Sequence, residues 1–359
     1  MSTPSYESAG VRGQTDALSA VERHLRPTFS FPANGEVLTD FGHYASVIKL
    51  SSELALALCT DGVGSKSIVA SAMNRYDTIA FDCVAMNVND LLCVGARPLA
   101  MVDYLGVHTL DSKRTDELLG GLSAAAKEAG IAVPGGEMAQ LPEVIGSDGR
   151  VPGDPTAFDL VGTCVGTLRP DDLILGRAIA PGDALIGLAS SGLHSNGYTL
   201  ARRVLLEDSG MRLDEHVEPL GRTLGEELLE PTEIYVRAVT ALWDAGVETR
   251  GLAHITGEGF SNLVRLEAPV GYELDQMPEP PPIFDLIRER GDIEHAEMFR
   301  VFNMGVGMVI VTPASHERRA LAALENAGQS AQRIGTVSDE VGIVRLKQHD
   351  LELAVPPAG

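Results

Sequence analysis

The chain has 359 residues, of which 44% are hydrophobic and 5% aromatic, and a formal net charge of -22. That is enough apolar material for two domains with real cores, built from small aliphatic side chains rather than aromatic ones. The charge argues against nucleic acid or an anionic membrane as partner, since the summed field repels polyanions. No apolar run reaches the roughly 18 residues that span a bilayer, so a cytoplasmic location is expected. Cys59, Cys83, Cys93 and Cys164 form no C-x-x-C pair and read as reduced structural thiols rather than zinc ligands.

In chain order, the pattern predicts a helix over 16–25 that Pro27 stops, then a hairpin of strands 47–50 and 54–59 around Ser51-Ser52. A helix follows near 82–94, then a strand at 99–107 and a long helix from Asp111 or Ser112 to Ala129, ended by Gly130. A short strand leads into Pro134-Gly135-Gly136-Glu137, and 159–167 is another strand. Turn chemistry over 169–182 puts a boundary near 170. The second half restarts with a buried strand at 184–189, a polar glycine loop and a helix through Glu207. Helices at 231–245 and 261–266, a proline-rich connection at 278–282, helix 283–290, strand 306–311, helix 315–327 and strand 333–338 complete it. The result is an α/β (α+β) chain with domains at 1–170 and 171–345 and a tail at 346–359.

The chemistry gathers in a few loops. Thr60-Asp61-Gly62-Val63-Gly64, at the end of a buried strand, combines two glycines that let a phosphate approach, a hard oxygen ligand for Mg²⁺ in Asp61, and Lys66 to answer phosphate charge. It lacks Walker spacing, so taken alone it is a metal-phosphate site or an ordinary tight turn. Along the next helix, Asp82, Met86 and Asn89 share a face and Asp90 lies about 80° from Asp82. Two acids and two amides, Asn87 and Asn89, within an apolar helix are costly to bury unless paired or bound to a cation; the alternative is a cap at Asp82 with Asn89 bonded to a neighbouring loop. Glu137, after Gly135-Gly136, suits a third ligand, or the segment is a turn. Ser190 to Asn196 gathers hydroxyls and backbone N–H groups into a phosphate or oxyanion cradle around Gly192, with His194 as general acid/base or donor to phosphate. A second glycine loop, His254-Ile255-Thr256-Gly257-Glu258-Gly259, follows a strand.

Taken in order, YESAGV (6–11), TDGVGSK (60–66), residues 77–90, GARPLAMVD (95–103), Gly135 to Glu137, SSGLHSNGYTL (190–200), PTEIYV (231–236), residues 254–260 and HAEMFRVFNMGVGM (295–308) resemble the phosphoribosylformylglycinamidine cyclo-ligase (aminoimidazole ribonucleotide synthetase) family nearly end to end. The resemblance implies two α/β domains, a homodimer whose first domains build a shared β-barrel, and an ATP site there. It implies that Asp61, Asp90 and Glu137 hold Mg²⁺ and the ATP phosphates, with Gly62, Gly64, Lys66, Asp82, Asn87, Asn89, Gly135 and Gly136 in support. Ser191, His194, Ser195 and Asn196 would hold the ribonucleotide substrate or the transferring phosphoryl group, and Thr256-Gly257 its 5′-phosphate. The implied reaction closes the imidazole ring of a purine precursor at the expense of ATP. The chain departs from the family's pattern at 40–43 and 138–143, and Glu258 stands where the family tends to have the middle of three glycines. A related ATP-dependent kinase or synthetase, of the thiamine monophosphate kinase or hydrogenase maturation type, and a catalytically silent nucleotide-binding paralogue are the competing readings.

Overall fold

Ala55, Ala57 and Cys59 are buried while Leu56 and Leu58 are half-buried, so the run ahead of the first glycine loop keeps the two-residue period of a strand with one covered face. It is one of six strands in a first sheet of the protein, whose structure, a computed structural model, describes residues 15–32, 34–146 and 153–354. The sheet contains β1 (Glu36–Val37), β2 (Ser46–Lys49), β3 (Ala55–Gly62), β4 (Arg97–Val107), β5 (Ala132–Gln140) and β6 (Phe158–Leu168), in the order β1-β2-β3-β6-β4-β5. All neighbours are antiparallel except the parallel pair β4 and β5. The YESAGV segment lies outside the described residues.

The second sheet has the order β10-β12-β7-β13-β11-β14-β15. Its members are β7 (Ala184–Ala189), β10 (Gly251–His254), β11 (Gly271–Leu274), β12 (Val306–Thr312), β13 (Ala331–Ser338), β14 (Ile343–Leu346) and β15 (Leu351–Ala354), and a two-stranded ribbon of β8 (His216–Val217) and β9 (Arg222–Thr223) stands apart. Among the described residues, four helices belong to the first half: α1 (Thr15–Leu25), α2 (Lys66–Met73), α3 (Ile79–Cys93) and α4 (Ser112–Ala129). The second half adds α5 (Tyr198–Arg202), α6 (Leu224–Leu228), α7 (Val236–Asp244), α8 (Pro282–Gly291), α9 (His295–Val301) and α10 (Glu317–Asn326). Helix α3 is a main element joining the halves. Its Val84, Val88, Leu91 and Leu92 are fully buried, and it packs against β3, β6 and α4 on one side and β10 on the other.

Several elements differ from the sequence expectation, each for a visible reason. Within the tail expected at 346–359, residues 351–354 form β15, which pairs along its length with β14 and closes one edge of the second sheet. The helix expected over 231–245 starts at Val236, because the N–H groups of Thr232 and Tyr235 are drawn out to side chains of α3. Gly135-Gly136-Glu137 is no turn; it runs as extended chain in the middle of β5. The helix expected over 261–266 is instead a 3₁₀ segment, Gly259–Arg265, with Leu266 already extended, and the helix after residue 197 continues past α5 as a π-helical segment, Arg203–Asp208.

Candidate functional site

Strand parity sends Asp61 to the same face of β3 as Cys59, towards α3. On α3, Asp90 meets that face: its Oδ2 accepts the Cys59 thiol at 3.7 Å, and its Oδ1 lies 2.8 Å from Nδ1 of His254 at the end of β10. Asp61 and Asp90 thus come together between the two sheets. Asp61 Oδ1 accepts the Gly62 N–H at 2.7 Å. Burial, and then the charge of Asp90, pushes the Asp61 carboxyl up to about 6. A carboxyl whose ionisation is made costly by burial and by a second carboxylate beside it suits a divalent cation, which removes that cost. No cluster of three or more His, Cys, Asp or Glu side chains suited to a metal occurs among the described residues. Further ligands would then come from water and nucleotide phosphate, the usual habit of Mg²⁺.

Glu137 does not join this pair. In the parallel ladder Asp103 faces Gly136 and Tyr104 faces Glu137, so Glu137 shares the face of the half-exposed Tyr104 rather than that of Asp103. Three strand spacings, about 14 Å, also separate β5 from β3. One ion cannot be held by Asp61 and Glu137 together. The acid that shares the Asp61 row is Asp103, since both pair with Gly162 of β6; its carboxyl is raised by burial, and it received no role from the sequence.

Lys66 and Asp82 also differ from expectation. Both are fully buried and form an ion pair at 2.8 Å, and the Lys66 ammonium additionally donates to the carbonyls of His194 at 3.0 Å and Glu230 at 2.5 Å. Asp82 Oδ1 further accepts the N–H of Thr232 at 2.9 Å and its hydroxyl. Burial lowers the lysine's affinity for its proton and raises that of the aspartic acid, and their mutual attraction opposes both shifts. These groups lock loops together rather than meet a phosphate. The amides do similar work. Asn89 donates to Glu233 O at 2.9 Å and accepts from Tyr235 N at 3.0 Å. Asn87 donates to Asp61 O at 3.0 Å and Cys83 O at 2.8 Å, leaving its Oδ1 buried without a partner.

The loop after β7 lies directly on the first glycine loop. Ser195 donates to Val63 O at 3.0 Å, Asn196 reaches the Met86 sulfur at 3.7 Å, and Ser191 donates to Pro231 O. Asn303 fastens the loop from below, accepting from the Ser190 hydroxyl at 2.9 Å and donating to Gly192 O at 2.8 Å. His194 stands in the left-handed region, φ 64°, a conformation a non-glycine residue keeps only when its surroundings enforce it. Its Nε2 accepts the Ser191 N–H at 3.3 Å, which puts the proton on Nδ1, a buried nitrogen with no partner. Burial pushes its basicity well below the usual histidine range. The group is therefore a neutral imidazole offering one N–H, a donor rather than an acid. Gly307 makes the room: a Cβ there would come within 2.4 Å of His194 Cε1 and 2.1 Å of the Tyr235 hydroxyl oxygen. Thr256 and Gly257 are half-buried in the turn after β10, where Gly259 N donates to Thr256 O at 2.9 Å.

Sequence reasoning missed His254 as partner of Asp90, and Thr232 and Tyr235 as partners of α3. A histidine ending a strand just before Thr-Gly was the available signal for the first. Nothing local marks the other two.

Known proteins resemble this chain along nearly its whole length. The model described as AIR synthase related protein, N-terminal domain, matches residues 42–168, and its C-terminal counterpart matches 180–347. The chain is 43% identical to a phosphoribosylformylglycinamidine cyclo-ligase of Methanobrevibacter smithii, covering 93% of this chain and 95% of that protein. It is 45% identical to the protein of the same name from Thermococcus kodakarensis, covering 97% and 99%. Among solved structures, the HypE-HypF complex matches with a TM-score of 0.65 at 16% identity, covering 97% of this chain and 100% of that one. The AaThiL complex with AMPPCP and TMP gives 0.62 at 16%, covering 94% of each. Thermotoga maritima PurL complexed with FGAR gives 0.63 at 17%, covering 94% of this chain and 50% of that one. At these identities the structures speak for the fold alone.

Proposed function

The chain belongs to the phosphoribosylformylglycinamidine cyclo-ligase family of AIR synthase related proteins, and from that premise we propose how its residues serve the reaction. It is an ATP-dependent ligase that forms a C–N bond, converting formylglycinamidine ribonucleotide to aminoimidazole ribonucleotide, ADP and phosphate in purine biosynthesis. An amide oxygen is a poor leaving group. Transfer of the γ-phosphoryl group to the formyl oxygen gives an iminophosphate; an amidine nitrogen of the open-chain substrate then attacks that carbon to close the ring, losing its proton, and the C–O bond breaks as phosphate leaves with the oxygen. Catalysis is mostly positioning and charge neutralisation.

The observation that carries the assignment of roles is the meeting of Asp61 and Asp90 beneath the Ser190–Gly197 loop. Asp61 and Asp90 hold Mg²⁺, which would neutralise the phosphate charge of bound ATP. His254 orients Asp90 through their 2.8 Å contact, as outer partners of metal ligands do. The Nδ1–H of His194 and the polar groups of Ser191, Ser195 and Asn196 face the transferring phosphoryl group, and Thr256-Gly257 receive the 5′-phosphate. Lys66, Asp82 and Asn89 hold these loops in register. ATP binding accords with ATP-site neighbours such as AaThiL with AMPPCP.

The protein acts as a homodimer through its first sheet. Leu99, Val102, Tyr104 and Met138 leave 37–55% of their surface exposed on β4 and β5, an apolar patch that suits a second copy. Its four free, buried thiols suit a reducing compartment, and we place it in the cytoplasm. No described helix is long and apolar enough to cross a membrane. The deciding assay mixes the protein with Mg-ATP and formylglycinamidine ribonucleotide and follows the arylamine product and ADP. Asp61→Asn is expected to abolish product while melting no lower than the parent; near-normal turnover would remove Asp61 from the metal site.

A further inference from the structure

The loop after β10 carries a charged pair that the roles above leave unused. Glu258 accepts a hydrogen bond at 2.9 Å from Nη2 of Arg265, and the two side chains are 65% and 31% exposed. The arginine is held from the other side: its guanidinium carbon lies 5.3 Å from the ring centroid of the buried Tyr44, and Tyr44 in turn donates its hydroxyl to Asn262 O at 2.9 Å. Its charge is felt by Asp90 across the site, and by Tyr44 and His43 beside it. A guanidinium offers five N–H donors in a rigid fork, yet this one makes a single hydrogen bond among the described residues, to an exposed carboxylate on the neighbouring turn. Lys66, a second cation near this cleft, is consumed by Asp82, and Arg177 by Glu267. A phosphorylated substrate entering a chain of net charge -22 needs a local cation, and Arg265 is placed to supply it.

We propose that Arg265 grips the 5′-phosphate of the ribonucleotide, and that Glu258 is a built-in counter-ion that occupies the guanidinium until phosphate displaces it. The inference rests on the cyclo-ligase reading and extends the Thr256-Gly257 site. A carboxylate and a phosphate present the same pair of acceptors to the fork, so one can replace the other without moving the arginine off Tyr44. The exposed glutamate is free to swing into solvent. Where the family tends to have glycine, no such competitor exists; here it makes phosphate affinity weaker and dependent on the glutamate's charge.

The two partners give opposite results. Calorimetry with ribose 5-phosphate, and the KM for the ribonucleotide, should both improve about two- to fivefold in Glu258→Gln, the value of an exposed ion pair. In Arg265→Gln both should worsen about tenfold or more. In the Arg265→Gln background, Glu258→Gln should change neither. Arg265→Lys, which keeps a charge over Tyr44, covers the case in which the glutamine variant fails to fold; it should bind ribose 5-phosphate with intermediate affinity. A structural pair would instead make both single variants bind worse, and that result overturns the proposal, as does unchanged binding in Arg265→Gln. If wild-type protein makes no arylamine product, the cyclo-ligase reading fails; if it does and the variants match it, this proposal alone fails.

Discussion

Replacing Lys66 by Met removes an ammonium with no exposed surface, which bonds Asp82, His194 O and Glu230 O at 2.8, 3.0 and 2.5 Å. The isosteric methionine fills the space, so little of the effect is cavity. What remains is the Asp82 carboxylate in a fully buried position, supported by Thr232 alone, and two carbonyls without their charged donor. Breaking one side of a buried pair costs about 3–5 kcal/mol. At about 2 °C per kcal/mol for a chain of this size, the melting temperature should drop by about 8 °C. The second variant, Lys66→Met/Asp82→Asn, keeps an oxygen for Thr232 and removes the stranded charge, so it should recover roughly half the loss. Circular dichroism melts with a urea titration on each protein measure both effects. A single variant within about 1 kcal/mol of the parent, or a double variant no better than the single, would refute the claim that this pair is a buried structural lock.

Three further outcomes follow from the geometry. Because Asp61 is raised from 3.8 to about 6 in the folded protein, the native state keeps its proton longer than the unfolded chain. The apo protein therefore loses stability as pH rises through that window, and the melting-temperature gain from added Mg²⁺ should grow from pH 5 to 7 and be absent in Asp61→Asn. Gly307→Ala would press on His194 and Tyr235, so kcat should fall at least tenfold while the fold survives, as steady-state kinetics and a melt would show. Val102→Glu, in the centre of the apolar patch on the first sheet, should shift sedimentation equilibrium from dimer to monomer with secondary structure intact.

Local physics made much of this molecule legible. The helix over residues 112–129 could be read from its ends: Asp111 caps Arg114 N at 2.8 Å and Gly130 turns the chain at φ 69°. The strand at residues 184–189 announced itself as an unbroken apolar run. Asp61, Asp90 and the Ser190–Asn196 cluster were visible because polar groups in apolar surroundings are costly and demand a purpose. What stayed hidden depends on partners far away in sequence. Lys66 beside two glycines looks like a phosphate ligand until Asp82 and Glu230 are seen to enclose it. Which face Glu137 occupies is a matter of strand register, which no window around Gly135-Gly136 contains. The extended Pro231–Tyr235 segment reads as helix until the side chains of α3 claim its N–H groups.

Those claims by α3 bear on how the chain can be divided. Asp82 holds Thr232, Asn89 holds Tyr235, and Asp90 holds His254, three anchors over little more than two turns of one helix, all reaching into sequence beyond residue 230. Expressed alone, the first half would carry a helix whose Asp82 keeps Lys66 but loses Thr232, and whose Asn89 and Asp90 lose Tyr235 and His254, and the second would lack the floor beneath its loops. Fragments split near residue 170 should therefore need to be made together to give a folded protein. The same helix that carries Asp90, the metal ligand proposed above, is a seam of the molecule, so filling that proposed site should tighten the whole chain rather than one half of it.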